Sequence, residues 1–155
     1  MPDAWREPAR PIAFRYVRDP WLTPPALASA GVGSDPRHRL GCLGEHLAAQ
    51  HLERLGFRIL ERNYRTRFGE LDIIAYDGQA LVFCEVKTRR LAGLQGGPLE
   101  AVHQLKRGRI RRMAMSWLNQ REHRPCAPVL RFDVIGVTLD RAGRLASLEH
   151  LEAAF

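Results

Sequence analysis

Four side chains of this sequence have the types and spacing for hydrolysis of a phosphodiester: Asp72, Glu85, Lys87 and, further upstream, Glu45. Asp72 and Glu85 flank an Asp77-Gly78 dipeptide, a strong signal for a tight hairpin. Taking those two residues as the turn sets Asp72 opposite Phe83 and Glu70 opposite Glu85. Side chains alternate with period two, so Glu70, Asp72, Glu85 and Lys87 project from one side of the hairpin. Asp72 and Glu85 then become diagonal neighbours, roughly 7–8 Å apart at the backbone. An odd-length loop or a bulge would break this register.

Carboxylates gathered on a half-buried sheet face repel one another and lose hydration. A hard divalent cation resolves both problems, and Mg²⁺ prefers oxygen ligands while keeping several waters. A lysine two residues beyond Glu85 can hold or activate a water and balance charge in a phosphoryl transition state. The competing reading is an exposed hairpin face with ordinary ion pairs. Glu45 lies on a helical wheel about 20° past Leu52, at the rim of an apolar helix face, where it can reach over the sheet edge.

The elements that must position these residues follow from periodicity. Leu40, Leu43, Leu47, Ala48, Leu52 and Leu55 recur at helical spacing before Gly56, which predicts a helix over about 38–55. Short strands are predicted at 57–60, 71–75 and 81–86, the third apolar on both faces and hence central. After a loop with Gly93, Gly96 and Gly97, Pro98 opens a second helix to about Asn119, with Val102, Leu105, Ile110, Met113 and Trp117 apolar. Residues 131–137 make a fourth strand, and 145–151 add a short edge strand. The order is α-β-β-β-α-β, an α/β fold in one domain over 38–155. Residues 1–37 hold seven of the ten prolines and read as an irregular or flexible leader. Its Trp5, Phe14, Tyr16 and Trp21 could pack on the body or on a partner.

Net charge is +7, with 24 Lys+Arg against 17 Asp+Glu, which favours a polyanionic partner. The second helix and its exit concentrate that charge: Lys106, Arg107, Arg109, Arg111, Arg112, Arg121 and Arg124 accompany a single acid, Glu122. Such an excess suits a phosphate backbone, against the plainer reading of a solvated face. Cys42, Cys84 and Cys126 form neither a disulfide framework nor a zinc spacing. His46 and His51 read as surface or packing residues, and Asp133 as a structural or supporting acid. No long apolar run or signal-peptide pattern is present, so the expectation is a cytoplasmic protein without membrane contact.

Four blocks in order carry a family resemblance: Gly41-Cys-Leu-Gly44-Glu45, Gly56-Phe-Arg-Ile-Leu-Glu-Arg-Asn63-Tyr64-Arg65, Gly69-Glu70-Leu71-Asp72-Ile-Ile-Ala75 and Leu81-Val-Phe-Cys-Glu85-Val86-Lys87-Thr-Arg89. They resemble the bacterial YraN family, which is similar to archaeal Holliday-junction resolvases and to PD-(D/E)xK endonucleases. The resemblance spans about 38–150. It implies a mixed central sheet flanked by helices, the restriction-endonuclease-like core. It also implies a metal-dependent DNA endonuclease, with structure selectivity and a homodimer as the accompanying expectations. Asp72, Glu85 and Glu45 would then bind Mg²⁺ or Mn²⁺, with the Val86 carbonyl as an extra ligand. Lys87 would position the attacking water, and Gln104 and Lys106 would face the phosphates. The alternative left open is a non-catalytic nucleic-acid-binding module on the same fold.

Overall fold

The computed structural model describes residues 12–17, 35–91 and 104–155. Its elements are β1 (Ile12–Val17), α1 (Pro36–Arg54), β2 (Arg58–Thr66), β3 (Gly69–Tyr76), β4 (Ala80–Arg90), α2 (Gln104–Gln120), β5 (Val129–Leu139) and β6 (Leu145–Glu152). The strands form one mixed sheet in the order β1-β6-β5-β4-β3-β2. Only β4 and β5 run parallel, with α2 between them in the chain; the other neighbours are antiparallel. The α/β class and the mixed sheet flanked by helices are therefore as expected.

The two helices cover opposite faces. Leu47, Ala48, Ala49 and Leu52 of α1 pack on Ile73, Ala75, Val82, Cys84, Val86, Ile135 and Val137. Ile110, Met113, Ala114 and Trp117 of α2 pack on Leu71, Ile74, Leu81, Phe83 and Phe132. This two-sided cover explains why β4 reads as continuously apolar and sits inside the sheet. Cys84 is fully buried there, and burial, reinforced by the charge on Asp133, lifts its thiol well above the ordinary range.

Some boundaries differ from expectation. Ile12–Val17, inside the segment expected to be irregular, pairs antiparallel with β6, so β6 is not an edge strand. Extended backbone needs only a free ladder to settle, and β6 provides one. The remainder of the leader and the Gly93–Pro98 loop, with Val102, lie outside the described residues. Leu55 is 44% exposed, because it caps α1 after the apolar face has ended. β2 is much longer than the short strand expected; its polar, half-exposed residues hide the period.

One polar network crosses the α1 face. His51 Nε2 on α1 lies 3.1 Å from His150 Nδ1 on β6, and His150 Nε2 lies 2.9 Å from Asp133 Oδ2 on β5. Asp133 also accepts from Arg131 Nε at 2.9 Å and from the Ala153 N–H at 2.9 Å. Arg131 reaches on to Asp77 at 3.2 Å and Glu152 at 3.4 Å. Burial alone would lower the affinity of Arg131 for its proton; Asp133, Glu152 and Asp77 outweigh that and raise it above the ordinary value. Asp133 is thus a structural acid, and His51 a packing residue.

Close approach of α1 to β4 depends on Gly44. A Cβ there would fall on the Thr88 hydroxyl and 2.7 Å from Thr88 Cβ. Alanine is intrinsically the better helix former by about 1 kcal/mol, so any loss from Gly44→Ala measures the clash. We expect Gly44→Ala to destabilise by roughly 1–3 kcal/mol in denaturant unfolding, with partial recovery in Gly44→Ala/Thr88→Ala. Asp133→Ala strands the buried His150 and removes the main partner of the half-buried Arg131, and should cost about 3–5 kcal/mol by the same measurement.

Candidate active site

The hairpin turn is centred on Gly78-Gln79 rather than on Asp77-Gly78, and Asp77 closes it as an Asx turn. Asp77 Oδ1 accepts from Gln79 N–H at 2.9 Å and Ala80 N–H at 2.6 Å, and Gly78 takes φ +100°. The Asp77 N–H donates to the Ala80 carbonyl at 3.2 Å, so Gly78 and Gln79 form the loop, and Tyr76 pairs with Leu81 and Ile73 with Cys84. This corrects the expected register by two residues. An even shift preserves the faces but improves the alignment: continued one step, it sets Asp72 across from Glu85 rather than diagonal to it.

At that step the ladder stops. The Asp72 carboxylate takes the place of a backbone acceptor, with Oδ2 2.7 Å from the Val86 N–H, between Glu85 and Lys87. The sheet alternation also slips here: Leu71 and Ile74 both face α2, whereas Ile73 and Ala75 face α1. On the neighbouring strand, Asn63 has φ +53°, a left-handed backbone that asparagine tolerates well. It interrupts β2 between Arg62, paired with Ile73, and Tyr64, paired with Leu71. The two irregularities lie side by side and form a local kink in the β2–β3 hairpin. Kinks of this kind re-aim side chains beside functional sites.

Asn63 is the residue that sequence reasoning passed over. Its Nδ2 donates to Glu45 Oε2 at 2.7 Å, tying the α1 carboxylate to the kink. The signal that could have found it is Asn within a β-rich run, where αL-tolerant residues mark bulges.

On β4, Cys84 and Val86 face α1 and Phe83 faces α2, so Glu85 and Lys87 leave the sheet together on the α2 side. Lys87 Nζ stands 2.5 Å from Glu85 Oε1. Glu85 is 6% exposed and so shielded from water, while Lys87 is half-buried. Asp72 is pushed up to about 7 from an ordinary 3.8, by burial first and then by the charge on Glu85. Glu45 adds to the rise, while the Val86 N–H and Lys87 oppose it. Glu45, Asp72, Glu85 and Lys87 thus share one electrostatic neighbourhood. Glu70 does not join them as expected; it pairs with Arg65 at 3.4 Å, in the part of the hairpin beyond the kink.

The cations of α2 are partly committed to the protein itself. Arg109 Nε donates to the Phe68 carbonyl, Arg107 lies over the Phe155 ring, and Arg112 lies over Phe68. Arg121 makes a forked contact with Glu61 at 2.7 and 2.9 Å. Arg109, Arg111 and Arg112 remain solvent-exposed. The side chains of Gln104 and Lys106 lie outside the described residues.

Among the described residues, no three His, Cys, Asp or Glu side chains form a ready-made metal cage. What Asp72 and Glu85 offer is a pair of carboxylates on adjacent strands, with Glu45 held nearby. That donor set fits Mg²⁺ or Mn²⁺, which need only one or two protein carboxylates and otherwise keep water, and not a closed tetrahedral zinc site.

A raised carboxyl has a definite consequence for stability. The unfolded chain binds fewer protons than the folded one between about pH 4 and pH 7, so this group's contribution to stability falls as pH rises through that window. Above it the penalty is fully present. Asp72→Asn retains an oxygen for the Val86 N–H and removes the charge. In chelator, its melting temperature should exceed that of the unsubstituted protein by several degrees at pH 8 and match it near pH 4. A variant no more stable at pH 8 would refute the desolvated-carboxylate picture.

Comparison with known proteins agrees with the blocks that build this site. Residues 44–137 match the model of the uncharacterised protein family UPF0102. A UPF0102 protein of Parafrankia sp. (strain EAN1pec) is 49% identical over 117 residues, 76% of this chain and 96% of the relative. Another, from Acidothermus cellulolyticus, is 46% identical over 134 residues, covering 81% and 99%. A third, from Geobacter sulfurreducens, is 46% identical over 125 residues, covering 81% and 94%. With Glu45, Asn63, Asp72, Glu85 and Lys87 all inside the matched segment, the chain belongs to the UPF0102 family, the YraN family of the resemblance.

Proposed function

We propose that this protein is a divalent-metal-dependent endonuclease that hydrolyses phosphodiester bonds in DNA and selects its substrate by shape. The observation that carries the reading is the convergence of Asp72 on the Glu85-Val86-Lys87 segment, with Asp72 desolvated beside a second carboxylate and a lysine. A purely structural pair would leave Asp72 with a compensating cation of its own. Here the lysine contacts Glu85, and the charge on Glu85 works against Asp72.

Asp72 and Glu85 would hold Mg²⁺ or Mn²⁺, with Glu45 in support. The cation would supply charge neutralisation at the phosphate and a more acidic water. Asp72 is fixed in position by the Val86 N–H, and Glu45 by Asn63, so neither carboxylate must be ordered when substrate arrives. Lys87 brings a positive charge to the same place, where it orients the attacking water and offsets charge building on the phosphate oxygens. The exposed arginines of α2, Arg109, Arg111 and Arg112, with Arg107, Gln104 and Lys106, would contact the nucleic-acid backbone. A cytoplasmic protein meeting chromosomal DNA is the setting this reading assumes, with a homodimer as the assembly suited to branched substrates.

A second reading has one observation in its favour: with no three-ligand cage among the described residues, the fold could serve as a nucleic-acid-binding module without turnover. Metal separates the two. The full chain is incubated with branched, single-stranded and duplex DNA and Mg²⁺ or Mn²⁺. Cleavage of at least one substrate is expected, lowered by about 10²-fold or more in Asp72→Ala and in Lys87→Ala. Absence of cleavage on all three, or cleavage unchanged in Asp72→Ala, rejects the nuclease reading. Calorimetric titration with Mn²⁺ should give a binding heat and proton release that vanish in Asp72→Asn. DNA binding that survives chelation and Glu85→Ala, without turnover, identifies the binding module.

A further inference from the structure

A second charged feature lies outside the carboxylate site. Pro36, Arg39, Leu40 and Leu43 of α1, Arg90 at the end of β4, and Arg141, Ala142 and Gly143 of the β5–β6 turn line a cleft of about 300 Å³. Three of those eight residues are arginines and none is acidic. The turn that presents Arg141 is built tightly: Gly143 has φ +79° and its N–H donates to the Asp140 carbonyl at 3.1 Å. Arg90 Nη1 donates to the Arg141 carbonyl at 3.4 Å, which ties the Arg90 guanidinium to the turn that carries Arg141.

Among the described residues, Asp140 and Asp35, the acids next in sequence to lining residues, are otherwise engaged. Asp140 accepts from the Arg144 N–H at 2.8 Å and faces Arg144 Nε at 3.8 Å. Asp35 caps α1 by accepting from the Arg37 N–H at 2.9 Å. Among the described residues, Arg39, Arg90 and Arg141 meet no carboxylate, although Arg65, Arg121, Arg131 and Arg144 all do. Guanidiniums that share a concave surface without a carboxylate raise the local potential and favour an anion with several acceptor oxygens. The helix end adds little, since Pro36 has no N–H and Asp35 occupies that of Arg37. The site rests on the arginines.

We infer that this cleft binds a phosphate group of a nucleic-acid strand, with a terminal phosphomonoester as its best-matched form. A phosphomonoester carries nearly two negative charges and three terminal oxygens; an internal diester carries one charge. Three arginines match the former more closely. The cleft lies near the candidate active site along the chain: Arg90 is three residues beyond Lys87, about 10 Å along the strand and on the opposite, α1 face of β4, and Leu43 lies within one turn of Glu45. That nucleic acid is the carrier rests on the proposed function; the phosphate chemistry rests on the cleft alone.

Binding measured in chelator tests the inference without any dependence on cleavage. Fluorescence anisotropy of the full chain is followed with one oligonucleotide in three forms: 5′-phosphorylated, 3′-phosphorylated and unphosphorylated. Inorganic phosphate serves as competitor. A terminally phosphorylated form should bind about tenfold or more tightly than the unphosphorylated one. Arg90→Gln/Arg141→Gln, two exposed substitutions, should abolish that preference, and Asp72→Asn should keep it. The double variant could instead weaken all three forms equally and flatten the salt dependence, by about 0.7 in the log–log slope for each phosphate no longer neutralised. In that case the cleft holds internal phosphodiesters, and the inference stands with that source. Affinities and salt slope unchanged in the double variant overturn it. Failure of the nuclease reading would appear elsewhere, as intact DNA in the presence of metal.

Discussion

The hydrogen bond from the Val86 N–H to the Asp72 carboxylate governs the arrangement of this molecule's candidate site. A side chain stands where a ladder carbonyl would be expected, so β3 and β4 separate just where β4 carries Glu85 and Lys87. Had the ladder continued, Asp72 would need another partner for its charge and the strands would close over the site. The bond satisfies a buried donor and holds a desolvated acceptor, which makes the separation stable rather than a defect.

The separation is tolerable because the rest of the sheet is held firmly. The parallel β4–β5 pairing runs from Ala80 opposite Val129 to Arg90 opposite Leu139, so β4 is anchored along its whole length on the side away from Asp72. The Arg131–Asp133–His150–His51 chain then joins β5, β6 and α1 beneath that pairing. Gly44 lets α1 come close enough to set Glu45 by Asn63. The α1 face adds this polar chain to its apolar packing, and the other face carries stacked Phe83, Phe132 and Phe155 with Trp117 edge-on to Phe83.

The sequence announced much of this through period and spacing. Leucines of α1 recur at helical intervals, and the unbroken apolar run of β4 reports a strand covered on both faces. Asp72, Glu85, Lys87 and Glu45 were legible as a group because their parity survives an even change of register. The register itself was not: Asp77 could be the first residue of the turn or the residue before it that caps it, and it is the second, with Oδ1 accepting from Gln79 and Ala80. Glu70 shares the parity of Asp72 and yet leaves the group, because the kink lies between the elements that parity assumes to be regular. Asn63 and the arginine cleft were hidden for a related reason. Their partners come from distant parts of the chain, and no local pattern encodes such meetings.

The kink at Asn63 has another consequence, which concerns self-association. Among the described residues β2 is one of the two edges of the sheet, where unsatisfied backbone groups could recruit a strand from another molecule. Its register shifts between Ile59 and Glu61, its backbone turns left-handed at Asn63, and Arg58, Arg62 and Arg65 line it. An incoming strand would find neither a straight template nor a neutral one. The distortion that brings an amide to Glu45 therefore also makes this long edge a poor template for strand addition.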